Sequence, residues 1–248
     1  MFRWAAQNRR SLLRDSLLMG VAIGAASIPL IGGTFQKSSN AGKKEEKEPE
    51  VTATEDLMRE HGVIRRALLV YIETAPKLRQ NASSVDAAAL RQVAQLFRTF
   101  GEDYHERLLE EQHIFPIIQK QGGELEHYAE ILTDQHNRGR EITDYVLAVT
   151  NRSKISTAHA EPLAKVLEGF VLMYQNHAAR EDTIVFPAWK KNFSNKQLDE
   201  ISDQFEEIEH KMFGQDGFED AEKKISNIES SLGLNDLAQF TPPRPPKP

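Results

Sequence analysis

His177 and Glu181 lie four residues apart in what reads as the fourth long helical segment of the chain. Four residues turn an α-helix by about 400°, which leaves the two side chains about 40° apart on one face. An imidazole and a carboxylate so placed can reach one ion together. The spacing alone is a weak signal, because a His/Glu pair of this kind on a surface helix is usually just solvated. A second segment strengthens it. Glu110-Glu111-Gln112-His113-Ile114-Phe115-Pro116 aligns with Glu181-Asp182-Thr183-Ile184-Val185-Phe186-Pro187 on the shared Phe-Pro, with Glu110 and Glu181 in register. The other two long helical segments each carry a histidine at a plausible inward position. These are His61, in Arg59-Glu60-His61-Gly62-Val63-Ile64, and His136, in Asp134-Gln135-His136-Asn137. Taken singly, each reads as a surface or satisfied core histidine. Cysteine is absent, so a metal would have to be held by His, Asp or Glu, and disulfides, thiolate sites and thiol nucleophiles are excluded.

Read together, the four segments carry His, His with Glu, His, and His with Glu, an order that resembles the hemerythrin-like HHE family over about Asp56 to Trp189. The resemblance implies an antiparallel four-helix bundle with two irons near its axis. It implies His61, His105, His136 and His177 as nitrogen ligands and Glu110 and Glu181 as bridging carboxylates, with an oxo or hydroxo bridge between the metals. Mixed imidazole and carboxylate ligation suits iron, or manganese, better than the thiolate sites preferred by structural zinc. Helical bundles also recur as hosts of carboxylate-rich di-iron centres.

The second helix departs from the family pattern. His105 precedes Glu110 by five residues rather than four, which in a regular α-helix sets them about 140° apart. Leu109, at the fourth position, cannot ligate. A one-residue π-bulge between His105 and Glu110 would absorb the extra residue, and such bulges often mark functional sites. The rival is Glu106, four before Glu110, as the ligand in place of His105. Of the remaining histidines, His113 reads as partly exposed and His127 and His159 as solvated. His210, four after Glu206, would approach the metals only if a fifth helix covered an end of the bundle; its alternative is an ordinary charged face. Tyr71, Tyr104, Tyr145 and Tyr174 have core or interface spacing, and a hydroxyl near the irons could bond to a bound oxygen species.

The elements that must position these residues are all helical, with no strand-like alternation or hairpin dipeptide. Thr54 is the expected N-cap of a first helix ending near Pro76, with Glu55 and Asp56 in its first turn. Ser84 with Asp86 opens a second that runs to about Gln121 and stops at Gly122-Gly123. A third spans Leu125 to about Thr150, and a fourth about Ala158 to Lys191. Ser194-Asn195-Lys196-Gln197 has capping-box spacing for a fifth helix ended by Gly214. A short sixth covers Phe218 to Leu232, and the proline-rich tail from Thr241 is extended. The bundle is thus assigned to residues 54–192, a C-terminal helical extension to 193–233 and a proline-rich tail to 234–248.

Upstream, residues 37–53 read as a polar, disordered linker. Residues 1–36 have the order of an export signal, with Arg3, Arg9, Arg10 and Arg14 before an uncharged stretch from Ser16 to Gln36. A single membrane anchor is the alternative, since the stretch approaches the roughly 20 residues that span a bilayer. Asn8-Arg9-Arg10-Ser11-Leu12-Leu13-Arg14 resembles the twin-arginine signal, whose translocation machinery is associated with exporting proteins already folded around a cofactor. With 40% hydrophobic residues the chain can bury a real core. Its net charge of -6 lacks a basic stripe, which argues against nucleic acid as a partner. The expected function is a periplasmic or membrane-tethered non-haem di-iron protein that binds dioxygen or nitric oxide for carriage, sensing or scavenging. One alternative is a di-iron oxidoreductase acting on peroxide, nitric oxide or ferrous iron; another is a structural bundle without metal.

Overall fold

A computed structural model describes residues 51–214 and 216–246, which are helical and contain no strand. The expected export signal and nearly all of the linker lie outside the described residues. Four long helices form the bundle and two shorter ones pack against it. Helix α1 is Ala53–Asn81, followed by a 3-10 turn at Ala82–Ser84. Helix α2 is one continuous rod with an α-helical stretch Ala87–Leu96, a π-helical stretch Phe97–Ile114 and a final α-helical turn Phe115–Gln119. Helix α3 is Gly123–Val149. Helix α4 is Thr157–Arg180, continued by a π-helical turn at Glu181–Val185 and by Phe186–Lys190. Helices α5 and α6 are Asn195–Phe213 and Gly217–Leu232. A 3-10 turn at Leu237–Phe240 follows within the segment expected to be tail. Among the described residues, no helix is long and apolar enough to cross a membrane.

The ends are set by local chemistry. Ser194 and Gln197 form the expected reciprocal capping box, and Gly214 takes the left-handed conformation that ends α5 at no steric cost. Helix α1 differs from expectation at both ends. Its cap is Thr52, paired reciprocally with Glu55, rather than Thr54. At the other end it runs through Pro76 to Asn81. Pro76 sits on the exposed face, where water can donate to the Ile72 carbonyl in place of the missing N–H. Burial of Tyr71, Ala75 and Leu78 on the opposite face carries the helix across.

The two π-helical stretches end at the paired Phe-Pro sequences. The Phe115 N–H donates to the Glu110 carbonyl and the Phe186 N–H to the Glu181 carbonyl, five residues back in each case. Pro116 and Pro187 have no N–H to continue an α-helical ladder and would crowd the carbonyl four residues earlier. The wider turn accommodates both constraints.

The core below the site is aromatic: Tyr71, Phe97, Phe170 and Tyr174 pack ring against ring with centroids 4.6 to 6.3 Å apart. Helices α5 and α6 bind the bundle through specific contacts. The Ala53 N–H donates to Ser202 Oγ, Arg66 forms a salt bridge with buried Glu229, and Phe213 packs edge-on against Tyr104 at 5.3 Å. The Arg59 guanidinium lies over the Phe218 ring.

Candidate metal centre

Each long helix contributes to one buried cluster at the Phe-Pro end of α2 and α4. His61 comes from α1, His105 and Glu110 from α2, His136 from α3, and His177 and Glu181 from α4; all six are at most 3% exposed. Glu110 turns Oε1 to His105 Nε2 and Oε2 to His136 Nε2, both at 3.3 Å. Glu181 turns Oε2 to His61 Nε2 at 3.4 Å and Oε1 to His177 Nε2 at 3.0 Å. Each carboxylate therefore faces one imidazole pair with one oxygen and the other pair with the other. Neighbouring ligands about 2.1 Å from a single ion, at right angles, sit about 3.0 Å apart. The observed spacings, 3.0 to 3.4 Å, lie close to that figure.

The unsatisfied atoms point the same way. Both oxygens of Glu110, both of Glu181, and His105 Nε2 are buried without a hydrogen-bond partner. Buried polar atoms are almost always paired, and leaving ionised carboxylates without compensation costs several kcal/mol. Divalent cations between the imidazole pairs would satisfy all five atoms at once, so the residues present fit a two-metal group.

His105 faces the cluster because the π-helical stretch brings residues five apart onto one face. The widening extends well beyond the single bulge expected between His105 and Glu110, over Phe97–Ile114. Glu106 is engaged apart from His105: Tyr174 donates its hydroxyl to Glu106 Oε1, Arg140 approaches Oε2 at 3.4 Å, and Glu106 lies with Glu111 beside His136. It does not replace His105. His210 is exposed on α5 and does not join the cluster; Phe213 of that helix packs against Tyr104. His113 is half-buried beside Phe205, while His127 and His159 are exposed. Tyr104 and Tyr174 direct their hydroxyls to Glu60 and Glu106 rather than to the cluster.

Sequence reasoning missed the groups behind the imidazoles. His105 Nδ1–H donates to Glu60 and His61 Nδ1–H to Asp182, both at 2.7 Å. His136 Nδ1–H donates to Glu111 and His177 Nδ1–H to Gln135, both at 2.9 Å. Such bonds fix the tautomer that leaves Nε2 free as a ligand and raise its basicity. The four form a closed ring. Helix α1 supports the histidine of α2, α2 that of α3, α3 that of α4, and α4 that of α1. Each supporting residue is adjacent in sequence to a cluster residue of its own helix, and that adjacency was the available signal.

The electrostatics follow from this crowding. Burial would lower the His105 imidazole, but Glu110 and Glu60 outweigh it and hold it well above its ordinary value. Burial would likewise raise the Glu181 carboxyl, but His177 and His61 hold it well below the usual carboxylate range. Glu110 is lowered, with burial and Glu181 opposing and His105 and His136 prevailing. Both carboxyls are thus biased toward the anionic form at the centre of the bundle.

The hemerythrin HHE cation binding domain family matches residues 52–189, and the chain belongs to it. Uncharacterized proteins of Mycobacterium tuberculosis (strain H37Rv) and Mycobacterium bovis are 40% identical over 244 residues, covering 96% of this chain and 92% of each relative. No solved structure matches. The fold and family therefore define a helical, metal-binding protein.

Proposed function

We propose that the centre holds two iron ions and binds a small ligand, dioxygen or nitric oxide, for carriage, sensing or scavenging. The observation that carries this reading is the division of each glutamate between two imidazole pairs. His61 and His105 would hold one ion, His136 and His177 the other, and Glu110 and Glu181 would bridge them. Two imidazole nitrogens and two carboxylate oxygens would hold each ion, and iron held so would have room for exchangeable ligands. Iron, when bound, supplies the redox-active binding of a diatomic molecule or peroxide; the chain's residues orient the imidazoles and exclude bulk water. The run Asn8 to Arg14, which resembles a twin-arginine signal, supports the further proposal that the protein is exported folded and acts in the periplasm or on an outward-facing membrane tether.

The test is metal content and optical spectrum of the full chain prepared anaerobically, then exposed to oxygen or nitric oxide. The expected result is close to two irons per chain and a reversible spectral change. In Glu181→Gln the second iron should be lost. Irreversible oxidation or steady peroxide consumption would move the assignment to an oxidoreductase, and protein that takes up no metal would leave a structural bundle.

A further inference from the structure

Of the five tyrosines in the chain, Tyr174 stands apart. It is 3% exposed, and its ring lies 5.3 Å from that of His177, centroid to centroid. Its hydroxyl donates to Oε1 of Glu106, a buried carboxylate outside the six cluster residues, whose Oε2 Arg140 approaches at 3.4 Å. An electron leaving the phenol therefore has a path to the centre through one imidazole. The hydroxyl proton has a base already in hydrogen-bond contact.

The other tyrosines lack this combination. Tyr71 is as deeply buried, but no protein group accepts from its hydroxyl, so it has no base to take its proton. Tyr104 donates to Glu60, whose other oxygen is committed to His105 Nδ1–H. Tyr128 and Tyr145 are only half-buried. The rings packed on Tyr174 are Phe170 at 4.6 Å and Phe97 at 4.9 Å. Benzyl side chains are much harder to oxidise than a phenol, and the chain has no cysteine. A radical formed on Tyr174 would stay where it forms, out of water and away from thiols.

Building on the di-iron reading above, we infer that Tyr174 is a one-electron donor to the centre, passing its electron through His177 and its hydroxyl proton to Glu106. The oxidant is a peroxide. Hydrogen peroxide takes two electrons and two solvent protons to become two waters as its O–O bond breaks. A ferrous ion supplies one electron and becomes ferric, and Tyr174 supplies the other. The phenolic O–H bond breaks, leaving a neutral tyrosyl radical beside a protonated Glu106. An external one-electron reductant then restores the phenol, with Glu106 returning the proton. Tyr174 thus completes a two-electron reduction for which a centre holding one ferrous ion is one electron short.

The test uses the full chain loaded with iron and reduced to one ferrous ion per centre, mixed anaerobically with hydrogen peroxide and freeze-quenched for electron paramagnetic resonance. We expect an organic radical signal whose hyperfine structure collapses when the protein is made with ring-deuterated tyrosine. The signal should fall at least tenfold in Tyr174→Phe and stay unchanged in Tyr71→Phe, which loses an equally buried hydroxyl. Glu106→Gln keeps an acceptor oxygen for Tyr174 but cannot take up the proton, so it should also lower the signal at least tenfold. That variant decides the case alone should Tyr174→Phe fail to fold. Iron-loaded protein without a tyrosine signal, or a signal at full strength in Tyr174→Phe or Glu106→Gln, would overturn the inference. Protein that holds fewer than two irons would instead refute the di-iron reading on which it rests.

Discussion

Glu60 shows how much a cluster of this kind depends on residues that do not enter it. Its carboxylate joins His105 on one oxygen and Tyr104 on the other, wholly out of water. Glu60→Gln keeps the shape and an acceptor oxygen but removes the charge, so we expect metal affinity to fall about 10- to 100-fold. Competition with a chelator reads this directly; unchanged affinity would mean that position rather than charge is what Glu60 supplies. Glu102 makes a different prediction. It is fully buried, and burial pushes its carboxyl up from 4.5 to about 7, with Thr143 opposing and Glu106 adding to the rise. Between those values the folded chain binds this proton more tightly than the unfolded chain, so stability falls as pH rises through the window. Glu102→Gln should therefore match wild type near pH 4.5 and exceed it by up to about 3 kcal/mol above pH 7. Thermal melts at several pH values check it, and a gap that does not widen with pH would remove Glu102 from the account.

Helices here meet at separations that single residues enforce. Gly139 on α3 lets Tyr174 of α4 lie against the helix backbone, where an added Cβ would collide with the phenol hydroxyl. That hydroxyl is held by Glu106. On an open helix, Gly→Ala gains roughly 1 kcal/mol of propensity. Here overpacking should reverse the sign, so we expect Gly139→Ala to destabilise by about 1–3 kcal/mol in urea unfolding. A stabilised variant would show that Tyr174 moves aside freely. The π-helical stretch of α2 is the other element-scale device: without it, His105 would be rotated away from Glu110.

For the molecule as a whole, the C-terminal extension belongs to the folded unit rather than to a tail. Phe205 stacks on Trp189, Phe213 covers Tyr104, and Arg66 reaches Glu229 on α6. Burying side chains such as Phe205, Ile225 and Ile228 is worth about 2 kcal/mol each. Stability at this size moves by about 2–4 °C per kcal/mol. A chain ending at residue 193 should thus melt at least 10 °C lower or fail to fold, and differential scanning calorimetry would decide. A truncated chain with the wild-type melting temperature would show that the extension merely rests on the surface.

The helices and most of their boundaries were legible because caps and glycine stops are local: Ser194 with Gln197, Gly122 and Gly214 act within a few residues of themselves. Thr52 and the passage through Pro76 were not, since the first competed with a nearby equivalent threonine and the second depends on burial against other helices. The cluster histidines and glutamates were implied by the resemblance to the HHE family, which rested on the order of the histidines and the repeated Glu-to-Phe-Pro segment. What only the tertiary structure decided was the ring of supports. Glu60, Glu111, Gln135 and Asp182 each act on a histidine of a neighbouring helix. A sequence lays out the faces of one helix. It does not state the rotation and register at which the next helix presents its imidazole, and those are fixed by close packing across the whole bundle.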